Sequence, residues 1–325
     1  MIRIAIVGFG TVGQGFAELL MKKRNVIEKC IGEYRVVAIA DSKSSISGNF
    51  SIEEAIRMKR QNGRLRDDTG PEEIVSETEY NLLVETTHTK LDGGDGLRYI
   101  KAALHRGCDV ITSNKGPLVA DFEGLMRLAR RNGARLMYEA TVGGAMPVIK
   151  MVRKYLAFCD IVSVKGILNG TCNYILSRME EEGLSYEQIL TEAQELGIAE
   201  ADPSFDVEGV DAAAKLVIIA NTIGVRAKFE DVERVGIDKI TPEAFKVARE
   251  QGYTIRLIAE VSKKELRVSP RLVPVSHPLA IKGTMNAAMF KTDTAGNIFL
   301  AGRGAGKEET ASAMLSDLYE LYAGN

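Results

Sequence analysis

The 325-residue chain has only four cysteines, Cys30, Cys108, Cys159 and Cys172, scattered without any CxxC pair. That excludes a disulfide framework and a structural zinc site. The three histidines, His88, His105 and His277, stand at no metal-ligand spacing. No apolar run approaches the ~18–20 residues needed to span a bilayer. The opening MIRIAIVGFG lacks the basic, apolar and small-residue order of a secretory signal. Net charge is nearly missing too: at −2, with no dense basic run, the chain has no general attraction for nucleic acid or an anionic membrane. No fixed-period repeat or low-complexity segment occurs, so solenoids and linker arrays drop out. What remains is a cytoplasmic protein for small molecules, long enough for two domains with their own cores.

Through the first half, short β-branched runs alternate with amphipathic helical stretches. Residues 2–7, 35–40, 81–86, 109–113 and 134–140 predict strands, and 11–23, 95–106 and 121–132 predict helices. Such alternation implies an α/β fold of the Rossmann type, a doubly wound parallel sheet covered on both faces. The charge-rich region around 48–78 predicts a surface helix and loop. After about residue 140, Gly143, Gly144 and Pro147 break the rhythm, and a more helical segment runs to about 252. Strands at 254–261 and 266–273 then suggest a mixed sheet. From 302 a glycine turn opens into an amphipathic helix expected to pack on the first domain. The expected division is therefore 1–140 plus 300–325 for dinucleotide binding, with an inserted α+β domain at 141–299.

Gly8, Phe9, Gly10, Thr11, Val12 and Gly13 form GFGTVG between a predicted strand and a predicted helix. A tight strand-to-helix turn needs glycine, and a pyrophosphate needs bare backbone near a helix N-terminus. Asp41 closes the second strand, where an acid would hold the adenosine ribose hydroxyls and favour NAD. Its distance from the first glycine exceeds the usual ~20 residues. Lys43, Lys59 and Arg60 offer the opposite choice, a 2′-phosphate, so NAD and NADP both stay open. TSNKGP, residues 112–117, places Lys115 at the carboxyl end of a parallel strand, where ligands gather in open sheets. On that evidence alone a solvated loop lysine is the better reading.

The most informative run is ELGIAEADPSFDVEGVDAAAK, residues 195–215, with carboxylates at Glu195, Glu200, Asp202, Asp206, Glu208 and Asp211. Glu195 and Glu208 read as ordinary surface charges. Asp211 and Lys215 stand four apart and share a helix face. An exposed pair of this kind would mean little. Here the neighbours are Ala212, Ala213, Ala214 and the apolar run 216–220, the pattern of a buried helix. Asp and Lys are almost never buried without a paired role. A lysine ammonium beside a bound nicotinamide suits reduction of a carbonyl, since the new oxyanion needs a proton. Nearby carboxylates would hold a substrate ammonium group.

With GFGTVG, TSNKGP, YEATVGGAMP at 138–147 and GILNGTCNYILSRM at 166–179 running on into 193–215, the chain resembles the homoserine dehydrogenases. The closing GRGAG at 302–306 fits as well. The resemblance implies reversible reduction of L-aspartate 4-semialdehyde to L-homoserine, on the route to threonine, methionine and isoleucine. It implies Lys215 as proton donor or acceptor and Lys115 as an aid at substrate or cofactor. It gives homoserine to Glu200 and Asp211, lines the site with Asp206, and brings Gly197 and Gly302 to the NAD or NADP. A monovalent cation, Na+ or K+, would lie near Glu139 on the backbone carbonyls of Val142, Gly144 and Met146. A homodimer through the second domain is the typical assembly.

Some features depart from the common pattern. The length leaves no room for a carboxyl-terminal ACT domain, and no kinase fusion is present, so threonine feedback through such a domain is not expected. Cys172 stands where threonine is common and reads as a small buried residue. His88 falls near the expected nicotinamide edge, although a loop histidine is the better reading. Two rivals remain: another Rossmann amino-acid dehydrogenase that oxidises an amine, and a dinucleotide sensor without chemistry, indifferent to loss of Lys215.

Overall fold

The structure, a computed structural model, describes residues 1–323. Two compact units are evident: Met1–Thr141 together with the chain from Gly306 onward, and Val142–Ala305. The expected returning segment, 300–325, starts later than its sequence suggests, and its last two residues lie outside the described ones.

The first unit is a six-stranded sheet. Its strands are β1 (Ile2–Val7), β2 (Tyr34–Ala40), β3 (Ser45–Ser47), β4 (Leu82–Glu85), β5 (Asp109–Thr112) and β6 (Leu136–Met137). They lie in the order β3-β2-β1-β4-β5-β6, all parallel except β3. The apolar runs that carry no alternation, Ile4 to Val7 and Leu82 to Val84, are fully buried, as both faces of a parallel sheet require. Helices α1 (Thr11–Lys22), α2 (Arg24–Ile31), α3 (Ile52–Asn62), α4 (Pro71–Glu77), α5 (Gly94–His105) and α6 (Lys115–Arg131) connect them. Register sets the working edge: Ala40 pairs with Val7, Val7 with Glu85, and Glu85 with Thr112. Gly8, Asp41, Thr86 and Asn114 therefore all emerge at one carboxyl edge. The strand order reverses between β1 and β4, the switch point where such sheets bind ligands.

Two local readings are corrected, and one helix, α2, has no counterpart in them. The predicted strand 134–140 shrinks to two residues, because the Thr141 amide and hydroxyl both turn back to the Tyr138 carbonyl, at 3.1 and 2.7 Å. Helix α6 starts at Lys115, six residues early, with non-helical backbone at Asp121 marking the join. Helix α2 follows α1 after a single residue, Lys23.

The second unit begins with a short turn, α7 (Val148–Lys150), and continues through β7 (Ile161–Ile167), α8 (Gly170–Glu182), α9 (Tyr186–Glu195), α10 (Ser204–Val207) and α11 (Val210–Thr222). Then come β8 (Glu233–Arg234), α12 (Pro242–Glu250), β9 (Tyr253–Ser262), β10 (Leu266–Pro274), β11 (Met285–Thr292) and β12 (Asn297–Arg303). The mixed sheet runs β12-β11-β7-β9-β10-β8, antiparallel except for β8 beside β10. Helices α8, α11 and α12 pack against β9. Four strands of this unit escape the sequence reading, the two-residue β8 among them. β7, IVSVKGI, has its β-branched residues interrupted by Ser163, Lys165 and Gly166, and β11 holds two alanines and a single β-branched residue, Thr292. β12 pairs with β11 from Asn297 to Arg303 and so runs into the start of the glycine turn expected from 302, which delays the return to the first unit. The returning helix, α13 (Lys307–Tyr322), packs on α1.

Candidate functional site

In the first unit the three glycines of the turn answer three different demands. Gly8 has φ +91°, and a Cβ there would stand 2.5 Å from the Thr86 backbone. At Gly13 a Cβ would lie 2.2 Å from the Gly8 carbonyl, so α1 packs directly on the turn. Gly10 meets nothing within 4 Å. It caps α1 in extended conformation with no side-chain hydrogen bond, leaving the first helical N–H groups to an incoming anion. Phe9 is fully buried, and its carbonyl accepts from Gln14 Nε2 at 3.2 Å. Thr11 and Val12 form the first turn of α1, Val12 packing on the core.

Asp41 is not free at the end of β2. Its Oδ1 accepts from the Lys43 and Ser44 amides at 3.0 and 2.8 Å and from the Ser44 hydroxyl at 2.9 Å. Its Oδ2 accepts from Lys59 Nζ at 2.6 Å. Burial alone would raise this carboxyl, but the hydrogen bonds from Lys59, Lys43 and Ser44 outweigh it and hold it below the ordinary aspartate range. Lys43 carries an exposed side chain, and Arg60 pairs with Glu18 instead. Lys115 is the first residue of α6, capped by Asn114 Oδ1 on the Gly116 N–H at 3.0 Å. His88 is exposed in the loop after β4.

The second unit gathers side-chain charge. Lys215 and Asp211, 7% and 6% exposed, pair at 2.6 Å across the first two turns of α11, a helix otherwise buried among alanines and aliphatics. Lys215 Nζ also donates to the Leu168 carbonyl at 2.7 Å. Two of its three ammonium protons are thus placed, and one is left for a ligand. Asn169 ties the cluster together. Its Nδ2 donates to Asp206 at 2.6 Å and Asp211 at 3.0 Å, while its Oδ1 caps α8 on the Cys172 N–H at 2.8 Å. Burial first, and then the Asp211 charge, raise the Asp206 carboxyl above its ordinary value. Cys172 is fully buried and its thiol is pushed well up by that burial, which leaves it inert as a nucleophile.

Sequence reasoning missed Asn169 and the Leu168 carbonyl, although both lie inside the quoted run at 166–179. Glu200 sits exposed on the loop after α9, and its carboxylate makes no hydrogen bond among the described residues. Gly197, on the same loop, has φ +69° and follows the C-cap of α9, a sufficient structural reason for glycine. Gly302 pairs with Asn286 across β11 and β12, and a Cβ there would meet Met146 at 3.0 Å. Gly144 presses on the Gly304 backbone, and the Ala145 N–H donates to the Arg303 carbonyl at 3.0 Å. Glu139 belongs to the first unit, where its N–H donates to buried Asp317 at 3.0 Å. Among the described residues there is no cluster of His, Cys, Asp and Glu fit for a metal, and no helix is long and apolar enough to cross a membrane.

Both units match known sequence models: residues 8–139 that of the homoserine dehydrogenase NAD-binding domain, and residues 147–319 that of homoserine dehydrogenase. A homoserine dehydrogenase of Methanocaldococcus jannaschii is 44% identical, with 98% of each chain aligned. A crystal structure from Archaeoglobus fulgidus, itself assigned as a homoserine dehydrogenase, covers all of both chains at 72% identity and TM-score 0.98. A hyperthermophilic archaeal homoserine dehydrogenase solved with NADPH is 33% identical, covering 98% of this chain and 97% of its own, at TM-score 0.86.

Proposed function

The chain belongs to the homoserine dehydrogenase family, NAD(P)-dependent oxidoreductases, and from that premise we propose that it interconverts L-aspartate 4-semialdehyde and L-homoserine with Lys215 as the proton carrier. The observation that carries the assignment of Lys215 is its buried pairing with Asp211 against the Leu168 carbonyl. That geometry leaves one remaining N–H for a ligand. A bound nicotinamide dinucleotide supplies the hydride for the aldehyde carbon. Lys215 then gives its proton to the new alkoxide, and in the reverse direction takes it from the homoserine hydroxyl. Asp206 and Asp211, held by Asn169, attract the substrate ammonium, with Glu200 able to join them from its loop. Lys115, at the amino end of α6, assists with the substrate or cofactor anion.

The turn at 142–146 suits a monovalent cation in one respect. The Val142 and Gly144 carbonyls accept no hydrogen bond among the described residues, and that of Met146 accepts only the Val148 N–H, at 2.8 Å. These oxygens would hold Na+ or K+. Homoserine formation would serve threonine, methionine and isoleucine synthesis. A homodimer through the second unit is supported by exposed apolar side chains on and after β10, Leu272 at 58% and Val275 at 60%.

The test is reduced-nicotinamide formation from L-homoserine with NAD+ and NADP+ separately, repeated with Lys215→Ala. That variant should lose about 10²–10⁴-fold in kcat while NADPH still binds by fluorescence. Undiminished turnover would remove Lys215 from the proton step. Turnover of an amino acid with release of ammonia, and none of homoserine, would instead favour the amine-oxidising rival.

A further inference from the structure

One buried charge in the first unit has no part in the chemistry above. Glu85 ends β4 with no exposed surface. Its Oε1 accepts from the Thr87 N–H at 2.8 Å, from the Thr87 hydroxyl, and from Asn114 Nδ2 at 3.3 Å. Its Oε2 accepts from the Thr112 hydroxyl at 2.7 Å. Neighbours fix the direction of both hydroxyl protons. Thr112 Oγ1 also accepts the Asn114 N–H at 3.0 Å, and Thr87 Oγ1 also accepts from Asn114 Nδ2 at 3.2 Å. Each hydroxyl is left to donate to the carboxylate.

These partners come from two segments that leave the sheet at its carboxyl edge. Asn114 is the hinge between them. Its Oδ1 caps α6 beside Lys115, and its Nδ2 also reaches the His88 carbonyl at 3.4 Å. The segments touch directly as well, since a Cβ on Gly116 would fall 2.1 Å from the Lys90 carbonyl. From above, the first turn of α5 closes the cluster: a Cβ on Gly96 would lie 2.6 Å from Asn114 Nδ2 and 3.0 Å from Glu85 Oε1. Burial pushes the Glu85 carboxyl upward, and the hydrogen bonds from Thr87, Thr112 and Asn114 pull against it. A buried carboxyl is a costly way to fill space, and packing alone would be served by an apolar side chain.

We propose that Glu85 is a positioning residue for the dehydrogenase reaction: its carboxylate locks the loop after β4 to the first turn of α6, and thereby fixes Lys115 at the edge of the sheet. This rests on the reading above in which Lys115 serves the reaction. Glu85→Gln keeps the shape and can keep an oxygen toward Thr87 and Asn114. Thr112→Val, which deletes the donor to Oε2, is the second probe should Glu85→Gln not fold.

The experiment has two arms. The first is hydrogen–deuterium exchange on the protein without cofactor. Both 86–93 and 114–120 should exchange faster together, by about tenfold, with β1 and β2 unchanged. The second is a cycle of wild type, Glu85→Gln, Lys115→Ala and the double variant, read by kcat and KM for homoserine and by NADPH affinity. Glu85→Gln should lower kcat about 10–100-fold when Lys115 is present and less than about threefold when it is not, with NADPH affinity within about threefold. Additive effects in the cycle, or a folded Glu85→Gln protein with unchanged exchange at both segments, would overturn the proposal. Wild-type protein inactive on homoserine would overturn the functional reading instead, and the exchange arm would still decide whether the lock exists.

Discussion

The two units present polar groups to a ligand in opposite ways under the proposed reading. The first offers backbone: an open Gly10, an uncapped helix end, and glycines at 8 and 13 that let strand, turn and helix approach closely. The second offers side chains: Lys215, Asp211, Asp206 and Asn169, in hydrogen-bond contact and mostly buried. A phosphate is bound well by fixed N–H dipoles, which carry no titratable proton. Moving a proton to an alkoxide requires a group that can gain and lose one, so the proposed reaction would call for the buried, partnered ionisable groups of the second unit.

The sharpest way to break the contrast is to put the same methyl group at two glycines of the turn. Gly8→Ala combines φ +91° with a 2.5 Å approach to the Thr86 backbone, so it should destabilise the first unit by more than about 2 kcal/mol. Gly10→Ala enters open space and should shift stability by less than about 0.5 kcal/mol. Yet it should weaken NADPH binding by roughly tenfold or more, because the methyl occupies the approach of the pyrophosphate. Thermal melts and fluorescence titrations of the two variants give both numbers. Unchanged NADPH affinity in Gly10→Ala would mean that the open turn does not receive the phosphates.

The same contrast explains what was legible in the sequence. The glycine turn is local, six residues between a strand and a helix, so composition and spacing reveal it. Asp211 and Lys215 are legible because an ion pair four residues apart stands out against Ala212, Ala213, Ala214 and the aliphatic run that follows. Glu85 is silent by comparison. It reads as the last residue of a strand, and its partners Thr87, Thr112 and Asn114 come together only when β4 and β5 pair. The Leu168 carbonyl is silent for another reason, since a backbone acceptor has no residue type. In the second sheet, β11 hides because antiparallel neighbours, not β-branched composition, stabilise it.

Asp206 sharpens the contrast through pH. The proposed role of Asp206 in holding an ammonium group needs the carboxylate form, and burial together with the charge of Asp211 makes Asp206 take up its proton at higher pH than an ordinary aspartate. The homoserine KM should therefore rise as pH falls through that raised value, while NADPH binding at the backbone turn stays level over the same range. Asp206→Asn should raise KM about tenfold and flatten the pH dependence. An acid limb that persists in the variant would assign the titration to another group.

The smallest effect tests the adenosine end, where the first unit also relies on side-chain charge. Lys59 occupies Asp41 Oδ2, the oxygen that ribose hydroxyls would need, and with exposed Lys43 it is the cation available to a 2′-phosphate. Lys59→Ala frees that oxygen while the Lys43 and Ser44 donors still orient Oδ1. The ratio of kcat/KM for NAD+ over NADP+ should rise about three- to tenfold, the range of a partly exposed charge contact. The same change has a stability signature with a definite sign. Asp41 is held below its ordinary value, so its contribution to folding is present above the unfolded carboxylate range and is lost as pH falls through the depressed one. Without Lys59 that loss on acidification should be smaller. A cofactor ratio unmoved by Lys59→Ala would make Lys59 a tether for the loop after β2, and selectivity would then fall to Asp41 and Lys43 alone.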